Sequence, residues 1–321
     1  MCLLARIGSR PVTIDSTLGH PKGAAVTTFR PRRSALYMPG SNARALEKAK
    51  SLAADCLLFD LEDAVAPDAK AEARDLVCKA VRAGGYGKRE VVIRINSLGS
   101  EWGADDLSAA AGAGADAILI PKVAKVADLE AVREGLARAN APRELALWAM
   151  IETPLAVLDS KDIAAAGAAE AYPLKVFVMG TNDLARELGA ELAGDRLPML
   201  SALSHCVHAG RAYGLDIIDG VFNDFRDEEG FVAECRQGRA LGMDGKTLIH
   251  PSQIGPCNAV FSPADEDVDW ARRVIAAFEE PENRSKGAIS VDGRMVELLH
   301  ADMARRTIAI ADAIDQMAAE S

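Results

Sequence analysis

Two acids frame the chemistry this sequence could do. Glu152 closes the apolar run 145–151, and Asp183 follows the run 176–179 after a tight Gly180-Thr181-Asn182 turn. Continuous apolar runs of this length have the character of buried parallel strands. An acid just beyond each of two such strands can offer oxygen ligands to a hard divalent cation, Mg2+ or Mn2+. Either acid alone could equally cap the helix that follows it, because carboxylates favour first turns; the pairing is what favours a metal. Arg94, in the run 91–95, carries the planar fork that grips a substrate carboxylate, or it could be consumed by the acidic cluster Asp60, Glu62 and Asp63. That cluster could orient metal-bound water, or simply open an acid-rich helix ahead of Pro67 and Asp68. A third stretch, Tyr37-Met38-Pro39-Gly40-Ser41-Asn42 followed by Arg44 and Lys48, sets a tight turn and two cations at a helix start. Such a place can hold phosphate, although a solvated helix face has the same composition.

These residues need a frame that brings strand ends together. Eight apolar runs (35–38, 56–59, 91–95, 117–120, 145–151, 176–179, 215–218 and 246–249) alternate with stretches whose apolar residues recur at helical spacing, such as Val126, Leu129, Val132 and Leu136. Strand and helix alternating in this way predict a (β/α)8 barrel, with an open doubly wound sheet as the alternative. Barrel chemistry belongs to the loops after the strands. In order, those ends carry Pro39-Gly40-Ser41, Asp60 to Asp63, Arg94 with Asn96, Lys122, Glu152, Gly180 to Asp183, Asp219 and His250-Pro251. So many charged or glycine-rich ends predict a mouth that is an active site.

The barrel is expected over 34–262. Residues 263–321 read as a helical segment with a short hairpin at Asp292-Gly293, able to lie as a lid on its own or a neighbouring barrel. Residues 1–33 hold Arg6, Arg10, Lys22, Arg30, Arg32 and Arg33 against the single acid Asp15, and read as a poorly ordered extension. The net charge of −10 argues against nucleic acid and anionic membranes as partners. No apolar run approaches the roughly 18–20 residues of a membrane span. The six cysteines form no C-x-x-C pair and suit a reducing, cytoplasmic setting. His205 and His208 fall inside the helix before the seventh strand and are expected to be structural. No G-x-S-x-G elbow, phosphate loop or dinucleotide fingerprint is present.

Several ordered motifs carry a family resemblance: Phe59-Asp60-Leu61-Glu62-Asp63-Ala64-Val65, Arg94-Ile95-Asn96, Ile151-Glu152-Thr153, Gly180-Thr181-Asn182-Asp183-Leu184 and Lys246-Thr247-Leu248-Ile249-His250-Pro251. From about Arg33 onward the chain resembles the citrate lyase beta-subunit-like enzymes of the HpcH/HpaI aldolase superfamily. The resemblance implies a Mg2+-dependent barrel acting on a CoA thioester of a 3-hydroxy diacid, assembled as a trimer or hexamer whose C-terminal segment closes over an active site. It also implies that Glu152 and Asp183 ligate the metal, that Arg94 grips the substrate carboxylate, and that the stretch from Tyr37 to Lys48 helps to hold CoA.

Within the superfamily the chain looks most like the malyl-CoA branch of lyases and thioesterases. The lyases place an aspartate just after the hairpin to protonate the departing enolate; here that position is Glu297. One extra methylene shifts the carboxyl by roughly an ångström, enough to cost a proton transfer about 10²-fold. A longer acid could instead act on water or on the thioester carbonyl. The sequence at this point, like much of Trp102 to His300, looks most similar to the malyl-CoA thioesterases, and the resemblance makes hydrolysis of (3S)-malyl-CoA the expected reaction. Retro-Claisen cleavage and a citrate lyase subunit working on a carrier-protein thioester are the alternatives.

Overall fold

The computed structural model describes residues 29–192 and 194–319. The eight expected runs all form strands: β1 Ser34–Pro39, β2 Cys56–Asp60, β3 Glu90–Arg94, β4 Ala117–Ile120, β5 Ala146–Ile151, β6 Leu174–Met179, β7 Asp216–Asp219 and β8 Gly245–Leu248. They pair in parallel in sequence order, and β8 returns to β1, so the sheet closes into a barrel. The helices are α1 Ala43–Lys48, α2 Lys70–Ala83, α3 Gly103–Ala111, α4 Val126–Arg138, α5 Pro154–Ala165, α6 Thr181–Leu188, α7 Leu200–Ala212, α8 Glu228–Leu241, α9 Ile254–Phe261, α10 Asp265–Glu279 and α11 Leu298–Ala319. His205 and His208 lie within α7, and the His208 ring contacts the Ser204 carbonyl one turn back.

Period-two alternation sorts each strand into two faces. Leu58, Val92, Leu119, Trp148, Val176 and Ile218 fill the barrel interior. Leu57, Phe59, Ile93, Ile118, Leu147, Phe177 and Ile217 pack outward under the helices. With both faces buried, the strands are continuously apolar, which is why they were legible as runs. The same parity carries upward: Tyr37, Asp60, Arg94, Met150 and then Glu152 continue the inward rows and line the mouth.

Positions 1–28 of the expected extension lie outside the described residues. Positions 29–33 are built into the barrel floor, which corrects the expectation of a loose segment up to 33. Arg32 pairs with Glu90 (2.6 Å) and Asp216, and Arg33 grips both oxygens of Asp55 at 2.8 Å. The acids at the lower strand ends supply the counter-charge. Gly245 makes room for the passing chain, since a Cβ there would lie 2.6 Å from the Arg33 carbonyl oxygen.

The C-terminal unit has its own core. Ala271, Val274 and Phe278 of α10 meet Ala301 and Ala304 of α11 and the hairpin residues Ile289, Val291 and Val296. The hairpin, β9 Ala288–Val291 with β10 Arg294–Glu297, turns on Asp292 (φ 51°) and Gly293 (φ 77°), the left-handed pair of a two-residue turn. The unit rests by the barrel floor. Arg306 of α11 reaches Asp244 at 3.2 Å, and a cleft of about 400 Å³ there is lined by Phe29, Arg32, Asp216, Trp270 and His300 among others.

Candidate active site

A cavity of about 310 Å³ opens at the C-terminal ends of the strands, walled by Tyr37, Asp60, Arg94, Met150, Glu152, Gly180, Thr181 and Asp183 with their neighbours. Glu152 directly follows β5, ahead of Thr153, whose side chain caps α5 by accepting from the Ala156 amide. Asp183 stands in the first turn of α6. The two carboxylates converge on one cation. The Lys122 ammonium pairs with Asp183 and lies 3.4 Å from Glu152 Oε2, while the Lys122 amide donates to Glu152 Oε1 at 2.7 Å. Gly180 permits this packing, because a Cβ there would fall 2.7 Å from Glu152 Oε2.

Burial pushes the Glu152 carboxyl up to about 7, against the pull of Lys122. Burial acts in the same direction on Asp183, but the Lys122 and Glu152 hydrogen bonds and the Arg186 charge outweigh it and hold Asp183 below the usual range. Two hard oxygen donors already balanced by a positive charge suit Mg2+. Among the described residues no cluster of three or more His, Cys, Asp or Glu could hold a metal. A Mg2+ ion held by these two carboxylates would take water or substrate oxygens for the rest of its sphere, as it prefers.

A pH dependence follows. A protonated Glu152 cannot ligate, so Mg2+ affinity should fall as pH drops below about 7, approaching tenfold per pH unit for one competing proton. Calorimetry in buffers of different ionisation enthalpy checks this as protons released on binding at pH 6. Binding without proton release would rule out Glu152 as the competing ligand.

Arg94 is less free than the sequence implied. Its Nε and one terminal nitrogen grip the two Asp60 oxygens at 2.6 and 2.7 Å, and Asp60 also accepts from the amides of Glu62 and Ala64. The other terminal nitrogen lies 3.0 Å from Glu62 and 3.2 Å from the exposed Asp63. The guanidinium also stacks 4.6 Å above the Tyr37 ring. Arg94 is therefore tied into the acidic cluster, as one of the two readings expected, and it also lines the cavity. Asp60 is fully engaged in holding it. Burial pushes the Glu62 carboxyl up to about 8, with Arg94 opposing. Burial likewise raises the Tyr37 phenol.

The turn after β1 stands at the rim. The Gly40 amide donates to the Asp60 carbonyl at 2.9 Å, and the Asn42 side chain caps α1 by accepting from the amides of Arg44 and Ala45. Pro39 is half-buried beside β2, while Ser41, Arg44 and Lys48 are exposed, and none of the four lines the cavity. Glu297 is farther away. It ends β10, its amide donates to His300 Nδ1, and His300 faces the floor cleft at the opposite end of the barrel. The structure does not bring Glu297 to the mouth of its own chain.

Two features escaped the sequence reading. In sequence Lys122 is only a charged strand end, and nothing local marks it as the partner of both acids. Asn182 and Asn223 exchange amide hydrogen bonds at 3.1 and 2.9 Å across the rim. Asp219, also a charged strand end, is turned outward into a buried ion cluster with Lys246, Arg196 and Glu234.

A closed parallel barrel of eight strands with its charged cavity at the C-terminal mouth is a (β/α)8 barrel whose loops carry the candidate site. The particular family is HpcH/HpaI aldolase/citrate lyase, whose model matches residues 33–251, and the chain belongs to it. It is 53% identical over 285 residues to a (3S)-malyl-CoA thioesterase of Cereibacter sphaeroides (strain KD131 / KCTC 12085), an alignment covering 88% of this chain and 96% of that protein. Citrate lyase subunit beta of Escherichia coli (strain K12) is 35% identical, with 88% of this chain and 94% of the relative covered. Among solved structures, CitE from Mycobacterium tuberculosis in complex with magnesium, acetoacetate and coenzyme A matches with TM-score 0.67 and 30% identity, over 86% of this chain and 97% of that one.

Proposed function

We propose that this protein is a Mg2+-dependent thioesterase that hydrolyses a 3-hydroxy-diacyl-CoA, (3S)-malyl-CoA first, to malate and CoA. The observation that carries the reading is the convergence of Glu152 and Asp183 on one cation beside Arg94. The 53% identity to a (3S)-malyl-CoA thioesterase over nearly its whole length supports the substrate, and the CitE complex with magnesium and coenzyme A supports the cofactor and the thiol group. Mn2+ would satisfy the same oxygen donors. Five cysteines are free and buried, in keeping with a reducing cytoplasm; among the described residues no helix is long and apolar enough to cross a membrane.

When bound at Glu152 and Asp183, a Mg2+ ion supplies Lewis acidity toward substrate oxygens. The cavity edge of Arg94 receives the terminal carboxylate, with Asp60 fixing the guanidinium plane and Tyr37 supporting it from below. Glu62, with its raised pKa, can hold or yield a proton beside that carboxylate. Gly180 and Thr181 bring backbone close to the acyl group, and Pro39, Ser41, Arg44 and Lys48 form the rim that meets CoA phosphates. Glu297 acts from a neighbouring copy, as a base on the attacking water or as a nucleophile at the thioester carbonyl. As a base, Glu297 takes a proton from water while the water oxygen bonds the carbonyl carbon, the C–S bond breaks and that proton passes to the leaving CoA sulfur. As a nucleophile, its carboxylate forms a mixed anhydride as CoA thiolate departs and is protonated by solvent, and water then cleaves the anhydride to release malate and regenerate Glu297. Met295, Leu298, Leu299 and Met303 are exposed around Glu297, an apolar surface suited to burial in a trimer or hexamer.

Purified protein incubated with (3S)-malyl-CoA and Mg2+ should yield malate and free CoA; acetyl-CoA with glyoxylate would make it a lyase instead. Glu297→Gln should lose hydrolysis while keeping its fold. Mixing it with Asp183→Asn after subunit exchange should restore about a quarter of wild-type activity, the random share of sites built from two intact halves in a closed ring. No recovery on mixing would overturn the shared site.

A further inference from the structure

Lys122, at the end of β4, holds Glu152 twice, by its amide to one oxygen and by its ammonium to the other, and the same ammonium reaches across to Asp183. Its backbone is left-handed, φ 56°, a conformation uncommon for residues with long side chains. The surrounding fold therefore maintains that conformation against a local cost, and it aims the stem between the two acids. A divalent ion held by both carboxylates would compete, at bonding distance, for the same oxygens that the ammonium meets. Two cations meeting the same oxygens repel strongly in a partly buried site. The Lys122 side chain is 34% exposed, so the ammonium can rotate out to the mouth without being buried unpaired. The amide bond to Glu152 survives that rotation, because it belongs to the backbone.

We infer that the Lys122 ammonium and the divalent ion are alternative occupants of the Glu152–Asp183 pair, so that this lysine is a tethered competitor that sets metal affinity and keeps the acids together before the ion arrives. The inference rests on the reading of Glu152 and Asp183 as the metal ligands. Arg186, exposed on α6, pairs with Asp183 Oδ1 at 2.6 Å, whereas Lys122 meets Oδ2, so it does not occupy the same space.

Mg2+ titrated by calorimetry at pH 8, together with thermal melts, tests the exchange in wild type, Lys122→Met, Lys122→Arg and Asp183→Asn. Lys122→Met should bind Mg2+ about tenfold or more tightly, since both the competitor and its repulsion are gone. Its metal-free melting temperature should drop and its rise on Mg2+ addition should exceed that of wild type. Lys122→Arg keeps the charge and should stay within about threefold of wild-type affinity. Lys122→Gly, suited to the left-handed backbone, should show the same sign as Lys122→Met and covers the case where that variant does not fold. Unchanged or weaker Mg2+ binding in both uncharged variants, with wild-type binding intact, would overturn the inference. Wild type that binds no Mg2+, or binds it undiminished in Asp183→Asn, would instead overturn the ligand assignment beneath it.

Discussion

Asp183→Asn should lower (3S)-malyl-CoA turnover by about 10³-fold or more, because a bound metal contributes several kcal/mol of transition-state stabilisation and each 1.36 kcal/mol is a factor of ten. The amide keeps the shape of the side chain and one acceptor oxygen, but it loses the charge that holds the cation. Stability should change little, because Asp183 is only partly buried and its pairs with Lys122 and Arg186 are open to solvent. The measurement is turnover at saturating Mg2+ alongside a thermal melt. A well-folded variant retaining more than a tenth of wild-type turnover would remove Asp183 from the metal site. Partial rescue at very high Mg2+ would fit, since Glu152 is still present to ligate.

The largest stability effect is expected at a site that does no chemistry. Asp219→Ala should destabilise the protein by about 3 kcal/mol, the low end for breaking a buried ion pair. Asp219 is fully buried, accepts from Arg196 at 2.8 and 3.0 Å and from Lys246 at 3.0 Å, and these charges hold its carboxyl below the usual range against the opposing effect of burial. Removing it leaves two buried cations sharing Glu234, which lies 2.6 Å from Lys246 and 3.4 Å from Arg196. That remaining acid is the reason for the low figure. Urea denaturation measures the loss as a shifted midpoint at constant slope. Asp219→Asn, which keeps an acceptor, should lose less than Asp219→Ala. A loss under about 1 kcal/mol would mean that Glu234 alone neutralises the pair.

Much of this architecture was legible because it is written locally. Strands buried on both faces are continuously apolar, and eight such runs in alternation with amphipathic stretches leave few topologies besides a closed parallel barrel. Residues just after those runs must then stand at the mouth, and this placed Glu152, Asp183 and Arg94 together from sequence alone. Pairing among charges was not legible. Lys122 and Asp183 are 61 residues apart, and Arg94 and Asp60 are 34 apart. Any strand-end cation could pair with several acids at similar separations, so only the tertiary structure decided that Asp60 takes the fork of Arg94 and that Lys122 bridges Glu152 and Asp183. The same holds for Asp219, a strand-end acid like the others, which strand parity turns outward to Lys246 and Arg196. It holds most of all for Glu297: the sequence places it next to the hairpin, and only the docking of the C-terminal unit at the barrel floor keeps it away from the mouth of its own chain. Local pattern determines elements and their ends, because burial acts residue by residue. Which charged ends meet depends on the closure and twist of the whole barrel, a property no stretch of sequence carries by itself.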